Sequence, residues 1–195
     1  MTIQRTFARA LPVVLAAVAF ALPARSADGD RIDVKLEPIE GSSLKRATAV
    51  GYLPSPPDVV FRHILGYERY GEYMPHMAES SVLERKESSM RVRQELNLPW
   101  PLADRWYVSA VAVDQEMLTV SWVTEEGNLE ACTGSWRVEP ANGGSRVTYS
   151  VVLDPGGFYP AWVVNSMQRR SLPQVIRALR EFIEKEEGEE KTNVQ

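Results

Sequence analysis

Between Ser81 and Leu153 the apolar positions fall into six runs of strand length: Ser81–Lys86, Met90–Leu98, Arg105–Val113, Leu118–Glu125, Ala131–Glu139 and Ser145–Leu153. They are rich in Val, Thr, Trp and Tyr and are divided by turn residues such as Glu87-Ser88-Ser89, Gly127-Asn128 and Asn142-Gly143-Gly144. Links this short predict antiparallel hairpins, because parallel neighbours need a crossover of about a dozen residues or more. Upstream, Ala47–Leu53 predicts a further strand, closed by Pro54-Ser55-Pro56-Pro57-Asp58 with Ser55 as the expected N-cap of a helix. Val59, Val60, Phe61, Ile64 and Leu65 give that helix one apolar face, and it ends at Gly66. The Tyr-rich stretch Tyr67–Pro75 predicts a second short helix or turn.

The C-terminal third changes period. Leu172, Val175, Ile176, Leu179, Phe182 and Ile183 recur at three- and four-residue spacing, which predicts a long amphipathic helix. Its first half is different: Phe158, Tyr159, Ala161, Trp162, Val163, Val164 and Met167 leave almost no polar side before Gln168. Pro173 predicts a kink or break, since a proline inside a helix costs about 3 kcal/mol. The pattern predicts an α+β fold: a curved antiparallel sheet of about seven strands, two short helices after the first, and one long C-terminal helix against the inner face. One helix cannot fill the inside of a strongly curved sheet, so an apolar space is expected between them.

The N-terminus has another character. Arg5 and Arg9 precede an apolar run of 13 residues, Ala10 to Leu22, followed by Ala24-Arg25-Ser26. This reads as a signal peptide over 1–26, cleaved near Ser26, because spanning a bilayer takes roughly 20 apolar residues. A periplasmic or secreted protein is expected, with a polar arm over 27–43, one ligand-binding domain over 44–186 and a charged flexible tail over 187–195. A short strand is expected in the arm around Ile32–Leu36. Removing the three arginines of residues 1–26 from 22 basic residues leaves 19 against 26 acids, a net charge of −7. That balance argues against nucleic acid as a partner. Cys132 is the sole cysteine, so an internal disulfide is impossible and the fold must rest on its core. A monomer with at most transient membrane contact is expected.

Candidate chemistry is sparse. His63 and His76 are the only histidines, and no His/Cys cluster has metal-ligand spacing, so neither a metal nor a cofactor is expected. Gly143-Gly144 reads as a hairpin turn and Gly156-Gly157 as a helix-entry link, not as phosphate-cradling loops. Cys132, beside Gly134 in a strand, reads as a small apolar filler. Glu95 and Arg105 are the best polar candidates. Five tryptophans, with Tyr107 and Tyr149, are more than one sheet and one helix pack tightly, which points to a wide apolar site with a few polar tips.

Three stretches resemble the START lipid-transfer family of the helix-grip superfamily, over roughly residues 47–182. They are PPDVVFRHILGYERYGEYMPHM, QELNLPWPLADRWYV and, most specifically, GSWRVEPANGGSRVTYSVVLDPGGFYPAWVVNSMQRRSLPQVIRAL. The resemblance implies a sheet gripping its C-terminal helix around an apolar tunnel that holds one lipid-like molecule. Arg105 falls on the family's Arg after the Pro-rich turn, with Trp106 where an acid often follows. Glu95 falls where some sterol-binding members keep an acid inside the cavity, and Val111 where they place its basic partner. The ligand-lining set expected is Glu95, Arg105, Tyr107, Val111, Trp122, Trp136, Tyr149, Trp162 and Met167. A carrier or sensor without catalysis is the expected function. The alternative is an enzyme similar to polyketide cyclases and dehydratases, with Glu95, Arg105 or His76 as acid–base groups.

Overall fold

The computed structural model describes residues 31–98, 100, 103–156 and 159–193. The expected signal segment, Gly157 and Phe158 lie outside them. Eight strands form one antiparallel sheet: β1 (Asp33–Pro38), β2 (Lys45–Leu53), β3 (Met77–Arg85), β4 (Ser89–Leu96), β5 (Arg105–Asp114), β6 (Thr119–Gly127), β7 (Ala131–Ala141) and β8 (Gly144–Asp154). Helix α1 (Pro57–Leu65) follows β2, a 3-10 turn (Tyr67–Arg69) leads into α2 (Tyr70–Tyr73), and α3 (Ala161–Asn193) closes the chain. The spatial order is β1-β2-β8-β7-β6-β5-β4-β3, so β3 to β8 form a meander and β2 returns beside the last strand.

Four expectations need correction. The sheet has eight strands because the arm segment pairs fully with β2, Val34 opposite Ala49 and Leu36 opposite Ala47. Their side chains pack on the core, so the arm belongs to the domain. Ser55 does not cap α1: it is buried, the cap position is Pro56, and the Ser55 carbonyl accepts a bond from Ser145 Oγ at 2.7 Å. The long helix continues through Pro173 without a break. It also runs on to Asn193, so residues 187–193 of the expected tail are helical, while residues 194–195 lie outside the described residues; Glu186, just before that stretch, pairs with Arg69 and His63.

The helix is held along β2. Asn165 Oδ1 accepts from Lys45 N at 3.0 Å near the start of the strand, and Arg180 donates to Tyr52 O at 2.6 Å near its end. Fifteen helical residues rise about 22 Å, and seven strand residues span about 24 Å, so the two elements match in length between these ties. Gly51 lets them approach closely: a Cβ there would stand 2.8 Å from Ile176 Cγ2. Val164, Gln168, Leu172, Ile176, Leu179 and Ile183 form the buried stripe of α3. Each large apolar member contributes about 1.5–3 kcal/mol of burial.

Coverage of the inner face is uneven. α3 packs on β1, β2 and β8, α1 on β7 and β8, and the 3-10 turn with α2 on β3. Among the described residues no helix packs closely on β4, β5 or β6. The inward side chains of these strands form the candidate site.

Candidate functional site

Strand alternation decides which side chains point into the interior. On β4, Met90, Val92, Gln94 and Leu96 are buried while Arg91, Arg93 and Glu95 take the other face. On β5 and β6, Tyr107, Ser109, Val111, Val120 and Trp122 are buried, and β7 adds Cys132, Trp136 and Val138. Register brings these into rows. Val111 sits opposite Met90 on one side and Trp122 on the other, and Trp136 lies between Val120 and Tyr149.

The aromatic residues form a continuous platform. The Trp136 and Tyr149 rings lie 4.2 Å apart between centroids, and Trp122 stacks on Tyr149 at 5.8 Å. Trp136 is 1 % exposed, whereas Tyr149 keeps part of its surface open in spite of rings on both sides. Tyr67 and Tyr70 enter from the opposite side at 4.7 Å from one another, and the Tyr70 hydroxyl donates to Ile64 O at 2.7 Å.

The buried interior also holds polar atoms that nothing in the protein satisfies. Both amide atoms of Gln168, the Tyr67 hydroxyl, Ser80 Oγ and Ser109 Oγ are buried without a hydrogen-bond partner. Gln94 reaches only Met77 Sδ at 3.8 Å, a weak contact. Buried polar groups are normally paired, and each orphan costs about 1–3 kcal/mol. A partner for each must come from outside the protein, as water or ligand. All are neutral. Among the described residues, the buried polar residues are Ser and Gln beside the tyrosine hydroxyls, and the Nε of the half-buried Arg180 is also out of solvent.

The same interior disfavours negative charge. Burial pushes the Tyr67, Tyr70, Tyr73, Tyr107 and Tyr149 phenols well above the ordinary tyrosine range, and it is the leading cause for each. Burial also raises the Cys132 thiol, although the Trp122 and Tyr107 side chains oppose the shift. Low-dielectric surroundings penalise the ionised form, which is the direction seen in all six groups.

The structure brings Tyr107, Val111, Trp122, Trp136 and Tyr149 of the expected set together on the inner face, with Met167 half-buried against the core. It does not bring in the others. Glu95 points outward, its side chain 41 % exposed and paired with Arg93 at 2.6 Å. The acid-bearing position of the resemblance is thus one residue out of step, and the neutral Gln94 occupies the inward place. Arg105 fastens the loops around β5, donating to Pro155 O at 2.9 Å and to the Ala103 and Asp104 carbonyls, and does not meet Glu95. Trp162 is 73 % exposed and turned away from the core. His76 is exposed at a turn with φ 63°, and its carbonyl accepts from Asn97 N.

Gln168 was not among the expected site residues, although a signal was available. It falls four residues after Val164 and four before Leu172, so the 3.6-residue period places it on the buried stripe. Ser109 and Gln94 were equally legible from period-2 alternation. Tyr67 was not, because a short Tyr-rich turn has no period to read. A recess of about 670 Å³ lies elsewhere, lined by Arg31, Asp33, Lys35, Thr48, Tyr52 and Arg146. Its open, charged walls on the outer side of β1, β2 and β8 do not resemble the interior site. Among the described residues no group of three or more His, Cys, Asp or Glu is placed to hold a metal ion. No helix among them is long and apolar enough to cross a membrane.

Known proteins share this architecture. Residues 53–180 match the family model described as polyketide cyclase / dehydrase and lipid transport. An uncharacterized protein of Pseudomonas aeruginosa is 25 % identical over 173 residues, covering 81 % of this chain and 85 % of its own. Among solved structures, a STAR-related lipid transfer protein fragment from Xanthomonas axonopodis superposes with a TM-score of 0.70 at 22 % identity, covering 83 % of this chain and 97 % of that one. Human STARD10 gives 0.69 at 13 % identity, covering 84 % and 73 % of the two chains. The Zhui aromatase/cyclase of a Streptomyces species gives 0.58 at 12 % identity, covering 77 % and 95 %. At these identities the structures share the fold alone: a curved antiparallel sheet wrapped around a long C-terminal helix.

Proposed function

Because the chain belongs to the polyketide cyclase/dehydrase and lipid transport family, we propose that it encloses one hydrophobic ligand between its sheet and its C-terminal helix. It acts as an exported carrier or sensor in the periplasm or outside the cell. The observation that carries this reading is the inner face itself: an aromatic platform of Trp122, Trp136 and Tyr149, accompanied by buried polar atoms without partners. Small-molecule sites take this form, mostly apolar with a few polar groups that fix orientation.

Export rests on the sequence of residues 1–26, with its basic start, apolar run and small residues near Ser26. The family also holds cyclases and dehydrases, which abstract and return protons. Acid–base chemistry needs a titratable group within hydrogen-bond reach of the substrate. Glu95 and His76 are exposed, and Arg105 is engaged with backbone carbonyls. The binding reading is therefore preferred to the catalytic one.

Native mass spectrometry of the mature protein, purified from its own host without detergent, tests this. A bound mass in the lipid range that is released by organic extraction supports the reading. A protein that is empty whenever isolated, and that fails to protect any lipid from extraction, overturns it.

A further inference from the structure

The recess on the outer side of β1, β2 and β8, about 670 Å³ in volume, is lined by two cations that pass by the carboxylates beside them. Lys35 stands between Asp33 and Glu37, two residues away on either side and on the same face of β1. At that same spacing Lys86 meets Glu84 at 2.8 Å, Arg93 meets Glu95 at 2.6 Å and Arg137 meets Glu139 at 3.1 Å. Lys35 pairs with neither neighbour: Asp33 is taken by Arg31 at 3.0 Å, and Glu37 lies opposite Arg46. Arg146 stands directly opposite Glu139 across the β7–β8 ladder, yet Glu139 is bound by Arg137. Among the described residues neither Lys35 nor Arg146 has an ion-pair partner.

Register sets these two cations around one point. Lys35 is level with Thr48 and Arg146 with Tyr52, and Val50 lies between those two on the outward face of β2. Strands β1 and β8 flank β2 and so stand about 10 Å apart, and four residues along β2 add about 13 Å. Both side chains line the recess, from opposite corners, and are long enough to meet a single oxyanion above Val50. Tyr52 supplies an aromatic wall, fixed by its hydroxyl, which donates to Asn142 O at 3.2 Å. We propose that this recess binds a phosphate monoester, its dianion held between Lys35 and Arg146 and its carbon skeleton resting on Val50 and Tyr52. Two cations balance a dianion, whereas a carboxylate would leave one of them unmatched. The arginine fork also suits phosphate geometry. The lining carries three bases against two acids in a chain whose net charge is −4, so the recess reverses the overall sign locally. It lies on the other face of the sheet from the interior site and does not depend on the lipid-binding reading.

The test is a titration of the isotope-labelled protein with phenyl phosphate, read from backbone amide NMR shifts with ionic strength held constant by sodium chloride. At about pH 7.5 the ester is largely a dianion. Saturable shifts are expected at Lys35, Val50, Tyr52 and Arg146, and phenol, the neutral analogue, should not reproduce them. Lys35→Gln and Arg146→Gln should each weaken binding about tenfold, the effect of losing one charge-assisted bond. Arg93→Gln, on the same face of the sheet but outside the recess, should leave it unchanged. A second arm uses phosphatidylcholine vesicles doped with phosphatidic acid. Flotation with these vesicles that is lost in Arg146→Gln makes the ester a lipid headgroup; binding of phenyl phosphate alone makes it a free small molecule. Either result supports the site. Shifts that do not saturate, equal affinity in the two recess variants, or an equal loss in Arg93→Gln would overturn it, unless flotation is lost in Arg146→Gln and kept in Arg93→Gln.

Discussion

A Cβ placed on Gly134 would stand 2.5 Å from Cζ2 of Trp122, so the indole lies directly over the glycine of the neighbouring strand. The absence of a side chain at 134 is what allows a tryptophan to lie flat in the interior and stack on Tyr149. Gly134→Ala forces the indole to move and also crowds Ser150 O. Overpacking of this kind costs about 1–3 kcal/mol. The midpoint of urea unfolding should fall accordingly and the tryptophan emission should shift. An unchanged midpoint and spectrum would show that the ring is not fixed by the glycine.

Gly51 has the same role between sheet and helix. Gly51→Ala should destabilise the fold by about 1–2 kcal/mol through contact with Ile176. Because the atom met is the end of a side chain, Ile176→Val in the same chain should recover part of that loss. Strictly additive effects of the two substitutions would contradict direct contact.

His63 predicts a pH dependence. Its Nδ1 lies 3.4 Å from Glu186, which alone would raise its pKa, yet burial outweighs the carboxylate and the net shift is downward from 6.5. A histidine depressed in the folded state binds fewer protons there than when unfolded. Its contribution to stability is complete above the unfolded pKa of about 6.5 and is lost as pH falls through the folded value. Unfolding midpoints should thus decline on acidification below neutrality, and His63→Gln should flatten that part of the curve. Glu186→Gln should lower the His63 pKa further, read directly by NMR titration. An upward shift in that variant would refute the assignment.

Cys132 should be inert in the native protein. It is 5 % exposed and its thiol is pushed up by burial, so both access and thiolate are lacking. Labelling by a disulfide reagent at about pH 8 should proceed only through unfolding, at a rate that rises with urea as global opening does. Immediate stoichiometric labelling without denaturant would show that the interior is open to solvent at β7.

Trp162→Ala should change stability by less than about 0.5 kcal/mol, as is usual for a substitution away from the core, and should leave displacement of a bound probe unaltered. Its exposure of 73 % is the reason. A clear loss of affinity would return Trp162 to the ligand-contacting set.

The sequence by itself determined the local elements. Strand-length runs broken by turn residues gave the hairpins of β3 to β8, and the spacing of Leu172, Ile176, Leu179 and Ile183 gave the buried face of α3. Alternation also carries the inward facing of Gln94 and Ser109, which the expected site set did not include. The resemblance to a known family pointed to Glu95 instead, which stands one residue away and on the other face. Only the tertiary structure decided what no local period encodes. Pairing of β1 with β2 joins residues separated by a loop, and the ties from Asn165 and Arg180 to β2 cross more than a hundred positions. The helix runs whole through Pro173 and lies along one side of the sheet. The candidate site lies on the strands left without a close helix, because one helix cannot touch every strand of a curved sheet. Gln168 reads in sequence as a polar residue on a helix. Only the fold buries its amide and leaves it without a protein partner.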